Sequence, residues 1–245
     1  MIFFYEFFGT FLLVQAVCYS QATPIYIGIM LFMLILLLES ISGAHFNPAV
    51  TFATFLMAIR KWQKNLVYLA IYLTAQFTGA MLSAIWAIHT IPNRDLPLFR
   101  RAKHGDGTDQ ATLGVFLVEM LYTFTFTLVV TYHKWDASMN TPGAYLDALA
   151  CGTALFVAIG AAANTSGGCI NPAVGLAMTT IAAAFDIEGN QEESSYGIKN
   201  DLWIYLTAPF AGAALTWIFY RRVYEPIKDS LPKDDSIKSD DYGVN

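Results

Sequence analysis

The sequence predicts an all-α membrane protein in which six transmembrane helices and two re-entrant half-helices form an inverted internal repeat. Three observations carry that expectation. Hydrophobic residues make up 56% of the chain and charged residues 13%, against about 45–50% and about 25% in an ordinary soluble domain. The apolar residues gather in runs of the length a bilayer demands. And the string Ser42-Gly43-Ala44-His45-Phe46-Asn47-Pro48-Ala49-Val50 is answered by Ser166-Gly167-Gly168-Cys169-Ile170-Asn171-Pro172-Ala173-Val174, each copy opening an apolar stretch too short to cross.

A spanning helix takes about 20 mostly apolar residues, with a range of about 17–25. Ile2–Ser20 is the first such run. It has no positive segment before it and continues too far for a cleavable leader, so it is expected to be a span. Pro24–Leu38 is short by count, and Glu39–Ser42 completes it on a protected side. Ala49–Ile59 is only half a span. A helix should begin at Pro48, because a missing N–H costs nothing in the first turn. Asn65–Ile88, Ala111–Tyr132 and Ala144–Ala163 are the next full spans. Ala173–Phe185 repeats the half-length pattern behind Pro172, and Leu202–Tyr220 is the last span.

The duplication reaches beyond the tripeptides. Glu6-Phe7-Phe8-Gly9-Thr10-Phe11 resembles Glu119-Met120-Leu121-Tyr122-Thr123-Phe124, and Phe77-Thr78-Gly79-Ala80 resembles Phe210-Ala211-Gly212-Ala213. The expected organisation is a first repeat over 1–90 with its half-helix at 48–59, and a connecting extracellular loop over 91–110. A second repeat follows over 111–224 with its half-helix at 172–185, then a charged cytoplasmic tail over 225–245. Each repeat holds an odd number of spans, so the two must sit inverted. The half-helices then enter from opposite faces and meet near the midplane. With both termini inside, the cytoplasmic segments hold nine Lys and Arg and the outer ones five, which favours that orientation.

Other classes find little support. The net charge is −5, and the acids gather in Asp186–Asp201 and Glu225–Asp241. That pattern reads as solvated loops and a mobile tail rather than a nucleic-acid surface. Cys18, Cys151 and Cys169 show neither metal spacing nor a disulfide framework. There is no nucleophile–base pair and no phosphate loop, so an enzyme is not expected.

Matched interrupted segments in two halves point to a binding or permeation site. A helix N-terminus carries roughly half a positive charge and unpaired N–H groups. Two such ends meeting in the membrane make a positive region that repels cations and protons. Asn47 and Asn171 stand at the caps ahead of Pro48-Ala49 and Pro172-Ala173. Each side-chain oxygen should bind its own helix, leaving its NH2 free to donate into the lumen. Gly43, Gly167 and Gly168 permit irregular backbone, so Gly43–Phe46 and Gly167–Ile170 are expected to line the approaches with carbonyl oxygens. Such backbone is tolerated at membrane depth only against protein or a water-filled cavity.

Glu6 and Glu119 occupy equivalent repeat positions inside apolar spans. Each is expected to orient the re-entrant loop of its half, since the spans supply no chain of titratable groups for a proton relay. Glu39 has no counterpart; it either faces the cytoplasmic vestibule or is satisfied by loop donors. His45, with Cys169 opposite it in the repeat, is either a packed hydrogen-bonded residue or part of the lining. Small residues such as Gly79, Ala80, Gly212 and Ala213 allow close helix approach. Tyr68, Tyr132, Trp135, Trp203 and Tyr220 suit the membrane interfaces.

Over about residues 1–224 the chain resembles the aquaporin (major intrinsic protein) family. The likeness rests on Glu6-Phe7-Phe8-Gly9-Thr10, Ser42-Gly43-Ala44-His45-Phe46-Asn47-Pro48-Ala49-Val50-Thr51, Gln76-Phe77-Thr78-Gly79-Ala80, the second Asn-Pro-Ala string and Pro209-Phe210-Ala211-Gly212-Ala213. The resemblance implies a homotetramer embedded in membrane lipid, with one cofactor-free pore per subunit that passes water or small neutral solutes. It also implies an outer filter containing an arginine after the second Asn-Pro-Ala, where this chain has Val174. By spacing, the other filter positions fall on Ile27, Ile159 and Gly168, an aliphatic ring without charge. Unorthodox intracellular members of the family lack that arginine too. Gly175-Leu176 and Tyr205-Leu206 match neither the water-type nor the glycerol-type pattern.

Losing the arginine removes a positive barrier and widens the passage, yet an aliphatic ring can also dewet and close. The reading is therefore a passive channel for water and small uncharged solutes of the glycerol type. Its rival is a non-conducting or gated structural protein of the same fold within a larger assembly. A coupled transporter using Glu39 ranks third.

Overall fold

Each apolar run folds as a helix, and the turn residues between them set the ends. The computed structural model describes residues 1–94, 96, 97, 99, 111–136, 144–185, 187 and 201–230. Its helices are α1 (Ile2–Tyr19), α2 (Pro24–Ser42), α3 (Pro48–Met57), α4 (Trp62–Thr90), α5 (Thr112–Trp135), α6 (Ala144–Ser166), α7 (Pro172–Ala184), α8 (Leu202–Phe219) and α9 (Glu225–Ser230). Six are long and apolar enough to cross a membrane, while α3 and α7 are half-length. No strand occurs among the described residues. The fold is the expected one: six spans, two half-helices and an inverted repeat.

Several boundaries move. α2 does take in Glu39–Ser42 as expected, and it stops there because Gly43 at φ 86 supplies the left-handed stop and its N–H closes on the Glu39 carbonyl. α4 starts at Trp62 rather than Asn65, after a 3-10 turn over Ile59–Lys61. The half-helices end at Met57 and Ala184, one or two residues short of the expected ends. The tail is a larger correction. Helical structure continues past Tyr220 through a π turn (Tyr220–Tyr224) into α9. Arg221 binds Glu225 at 2.8 Å and donates to the Met57 carbonyl at 2.9 Å, capping the C-terminal end of α3. Asp136, which is buried, accepts from the Tyr224 hydroxyl and the Lys228 ammonium. Residues 225–230 are thus held, not mobile. The loop expectations at 91–110 and 186–200 fall mostly outside the described residues, and 231–245 falls wholly outside.

Helix pairing follows the repeat. α1 lies along α4, and α5 along α8. A β-carbon on Gly79 would sit 2.5 Å from the Phe7 carbonyl oxygen, and one on Gly212 would sit 2.4 Å from that of Met120. Phe7 follows Glu6 as Met120 follows Glu119, so the same close contact is made once in each half. The halves meet where α2 crosses α6. There Gly28 and Gly152 face each other, each leaving 2.6 Å between a would-be β-carbon and the other's carbonyl oxygen. Large apolar side chains such as Leu37, Val67, Leu113 and Tyr145 are exposed on the outside. Polar Glu6, Gln76 and Glu119 are fully buried inside. That inversion of the soluble pattern suits lipid as the solvent.

Candidate functional site

The two re-entrant loops have the same backbone. Gly43, Ala44 and Phe46 hold φ of 86, 49 and 48, and Gly167, Gly168 and Ile170 hold 86, 69 and 55. Left-handed geometry costs an L-residue roughly 1–2 kcal/mol, and a β-branched residue there is a genuine outlier. Buried carboxylates hold both loops in place. Glu6 accepts from the Ser42 hydroxyl at 2.8 Å, from the His45 N–H at 3.0 Å and from the Phe46 N–H at 2.8 Å. Glu119 accepts from the Ser166 hydroxyl at 2.6 Å, from the Cys169 N–H at 2.9 Å and from the Ile170 N–H at 2.8 Å. The Tyr72 hydroxyl donates to the Ser42 carbonyl, as the Tyr205 hydroxyl does to the Ser166 carbonyl at 2.7 Å.

Each loop delivers an asparagine to the first turn of a half-helix. The Asn47 side-chain oxygen accepts from the Ala49 N–H at 2.9 Å, and that of Asn171 accepts from the Ala173 N–H at 3.0 Å. The amide nitrogens cross over: Asn47 donates to the Ile170 carbonyl and Asn171 to the Phe46 carbonyl, both at 3.0 Å. This corrects the expectation of wholly free NH2 groups. One N–H of each amide ties the two loops together, and one remains for a third party. Phe46 and Ile170 likewise contribute backbone only. Both side chains are fully buried, and the Phe46 ring fills the space where a β-carbon on Gly9 would stand.

Two cavities adjoin this centre. The first is walled by Asn47, Asn171, His45, Gly168 and Cys169 together with Ile27, Ile159 and Val174. The four positions assigned by spacing to the outer ring therefore border one space, and Leu13, Val17, Leu31, Phe99, Phe126 and Leu155 complete its wall. The second touches α3 at Val50 and includes Gly43, Ala44, His45, Glu39, His133, Lys134, Asp147 and Cys151 in its wall. His45, Leu31 and Phe126 border both. Neither cavity wall includes Gly167, Phe46, Ile170, Pro48, Pro172, Ala49 or Ala173; these build the frame behind the walls.

The halves are not chemically alike. In the first, Gln76 donates to Glu6 at 2.9 Å and to Thr51 at 2.8 Å, and Thr51 meets His45 Nδ1 at 3.1 Å. The His45 ring leans on Tyr72, with centroids 4.7 Å apart. In the second, Pro209 stands where Gln76 does and Gly175 where Thr51 does. Cys169 turns its thiol to the Asn171 carbonyl at 3.2 Å. Sequence reasoning assigned no role to Gln76, to the Tyr72/Tyr205 pair or to Lys134. Repeat register could have found the tyrosines, since each precedes its Gln76 or Pro209 position by one helical turn. Among the described residues no group of His, Cys, Asp and Glu converges as metal ligands.

Comparisons with known proteins agree with this geometry. The chain is 30% identical over 241 residues to Aquaporin A of Dictyostelium discoideum, covering 89% of this chain and 77% of that protein. It is 25% identical to the probable aquaporin NIP7-1 of Arabidopsis thaliana over 89% of this chain and 74% of that one. In fold it is similar to the X-ray structure of the aquaglyceroporin from Plasmodium falciparum. That match has a TM-score of 0.72 at 21% identity and covers 93% of this chain and 97% of the other. The family profile described as Major intrinsic protein matches residues 2–220, a stretch that takes in all six long helices. The chain is therefore a multi-pass membrane protein of the major intrinsic protein family, whose members are passive channels rather than enzymes.

Proposed function

We propose that the chain conducts water and small uncharged solutes down their gradients, with cations and protons turned back at the Asn47–Asn171 pair. The observation that carries this reading is the first cavity, where both asparagines share a wall with Ile27, Ile159, Gly168 and Val174. Each asparagine keeps one N–H for a passing molecule, and two helix N-termini point into the same region. A molecule there must accept two hydrogen bonds, which water and hydroxylated solutes can do. A cation meets two positive helix ends instead. His45, Gly43 and Ala44 line the approach on the α3 side. Gly168 and Cys169 line it on the other.

In this proposal Glu6 and Glu119 support the loops, and 1–90 and 111–224 each supply one half of the pore. The working unit is a homotetramer in lipid with one pore per subunit. Both termini and the charged tail are cytoplasmic, in line with the distribution of Lys and Arg.

The test is osmotic shrinkage of proteoliposomes by stopped-flow light scattering, beside empty vesicles and vesicles holding Asn171→Asp. Fast shrinkage with a low activation energy is expected from the natural chain, and glycerol should follow water. Shrinkage no faster than empty vesicles would sink the conducting reading. One observation favours a second reading, a closed or structural pore. Ile27, Ile159 and Val174 offer a permeant no side-chain hydrogen bond, and such a ring can dewet. That reading predicts no flux from an intact assembly, with flux appearing in Val174→Arg or in an enlarged Ile159 variant.

A further inference from the structure

The first cavity has no Lys or Arg in its wall, and Lys134 is the single one in the wall of the second. Its ammonium donates to the Gly43 carbonyl, at the left-handed turn where α2 gives way to the first re-entrant loop. This fixes a cation close to the path, on the α3 side of the asparagine pair. The charged and titratable neighbours on that cavity come from three other places. Glu39 lies on α2, His45 on the loop, and Asp147 with Cys151 on α6. Asp147 is engaged by His133 at 2.8 Å. Glu39 is half-buried and shares that cavity wall with Lys134.

We propose that Lys134 sets the ion selectivity of this pore. With the lysine present, its charge offsets Glu39 and keeps the vestibule from becoming anionic. Without it, Glu39 and Asp147 face an aqueous space between apolar walls formed by Leu31, Val50 and Val130. A low-dielectric wall focuses such a field and concentrates cations. The asparagine pair would then meet a raised local cation concentration with no arginine on its far side, where Val174 stands. This inference rests on the channel reading given above.

The experiment measures potassium and proton flux in proteoliposomes by dye quenching, the sodium-to-chloride permeability ratio by reversal potential, and water shrinkage in the same vesicles. Lys134→Met and Lys134→Gln should raise cation flux on the order of tenfold and shift the ratio toward sodium. Lys134→Arg should stay as tight as the natural chain. The double variant Lys134→Met with Glu39→Gln should fall back toward it. Lys134→Gln separates charge from mere support, because glutamine can still donate to the Gly43 carbonyl. If Lys134→Gln and Lys134→Met pass water but stay as cation-tight as the natural chain, the inference is overturned while the channel reading stands. If no variant and no natural chain passes water or ions above empty vesicles, both fall.

Discussion

Phe46 and Ile170 occupy left-handed backbone although neither is glycine, and the fold holds them there by surrounding their N–H groups with carboxylate. The Phe46 and Ile170 N–H groups each end on a fully buried glutamate. Charge-assisted bonds of this kind are roughly twice as strong as neutral ones, enough to offset about 1–2 kcal/mol of conformational cost. The glycines beside them are not equivalent. At Gly43, a β-carbon would meet first the His45 ring at 3.4 Å, a side chain that can shift. At Gly168 it would lie 2.5 Å from the Ile159 carbonyl oxygen, a backbone atom. Gly43→Ala should therefore cost only the backbone term, about 1–2 kcal/mol. Gly168→Ala adds overpacking and should cost about 2–5 kcal/mol. Thermal unfolding of the two variants in detergent gives the comparison directly, and equal losses would show that the contact with the Ile159 carbonyl of α6 yields freely. A thinner version of the same support is visible between the halves. Glu6 has a further donor in Gln76, and Glu119 has Pro209 at that repeat position.

At the scale of the helices, the six spans and both half-helices were legible because the membrane enforces them. A run of apolar residues near bilayer length has few alternatives, and Pro48 and Pro172 fix where the short helices begin. Ends were less legible. Hydropathy alone ends α2 at Leu38 and only its shortfall in length calls for Glu39–Ser42; a left-handed Gly43 fixes the stop. The order of 225–230 was hidden because Asp136 and Lys228 are distant in sequence, and both look like solvated loop charges. The crossover bonds from the asparagine amides were hidden for the same reason, since they depend on two loops meeting. The α2–α6 crossing was not visible: the small residues noted lie on α4 and α8, and Gly28 and Gly152 were not paired. Each excludes the other's β-carbon, so Gly28→Ala and Gly152→Ala should each cost about 1–3 kcal/mol by forcing the helices apart. Once either has opened the crossing, the second has less to displace. The double variant should therefore lose less than the sum, by about 0.5–3 kcal/mol. A strictly additive loss of melting stability would mean that the two glycines do not share one contact.

Taken as a whole, the molecule lays unlike chemistry on a symmetric backbone. Around the cavity on the α3 side stand His45, Glu39, Lys134 and the pair His133–Asp147, so a permeant finds hydrogen-bond partners throughout. On the other side of the asparagines it meets Leu13, Val17, Ile27, Leu155, Ile159 and Val174. A water molecule entering that apolar stretch gives up partners that only loop backbone near Gly168 and Cys169 can replace. The rate-limiting barrier should therefore sit at the aliphatic ring, not at the asparagine pair. Val174→Thr tests this with little change of shape, since it exchanges a methyl for a hydroxyl. One added hydrogen bond is worth about 0.5–1.5 kcal/mol, so water flux should rise about 2- to 10-fold. The activation energy should fall with it. Ile159→Gly, which widens the ring without adding a partner, should favour glycerol over water instead. Were Val174→Thr to leave both the rate and its temperature dependence as they are in the natural chain, the barrier would belong to the asparagine pair. The asymmetry of the two cavities would then govern which ions are refused and not how fast water moves.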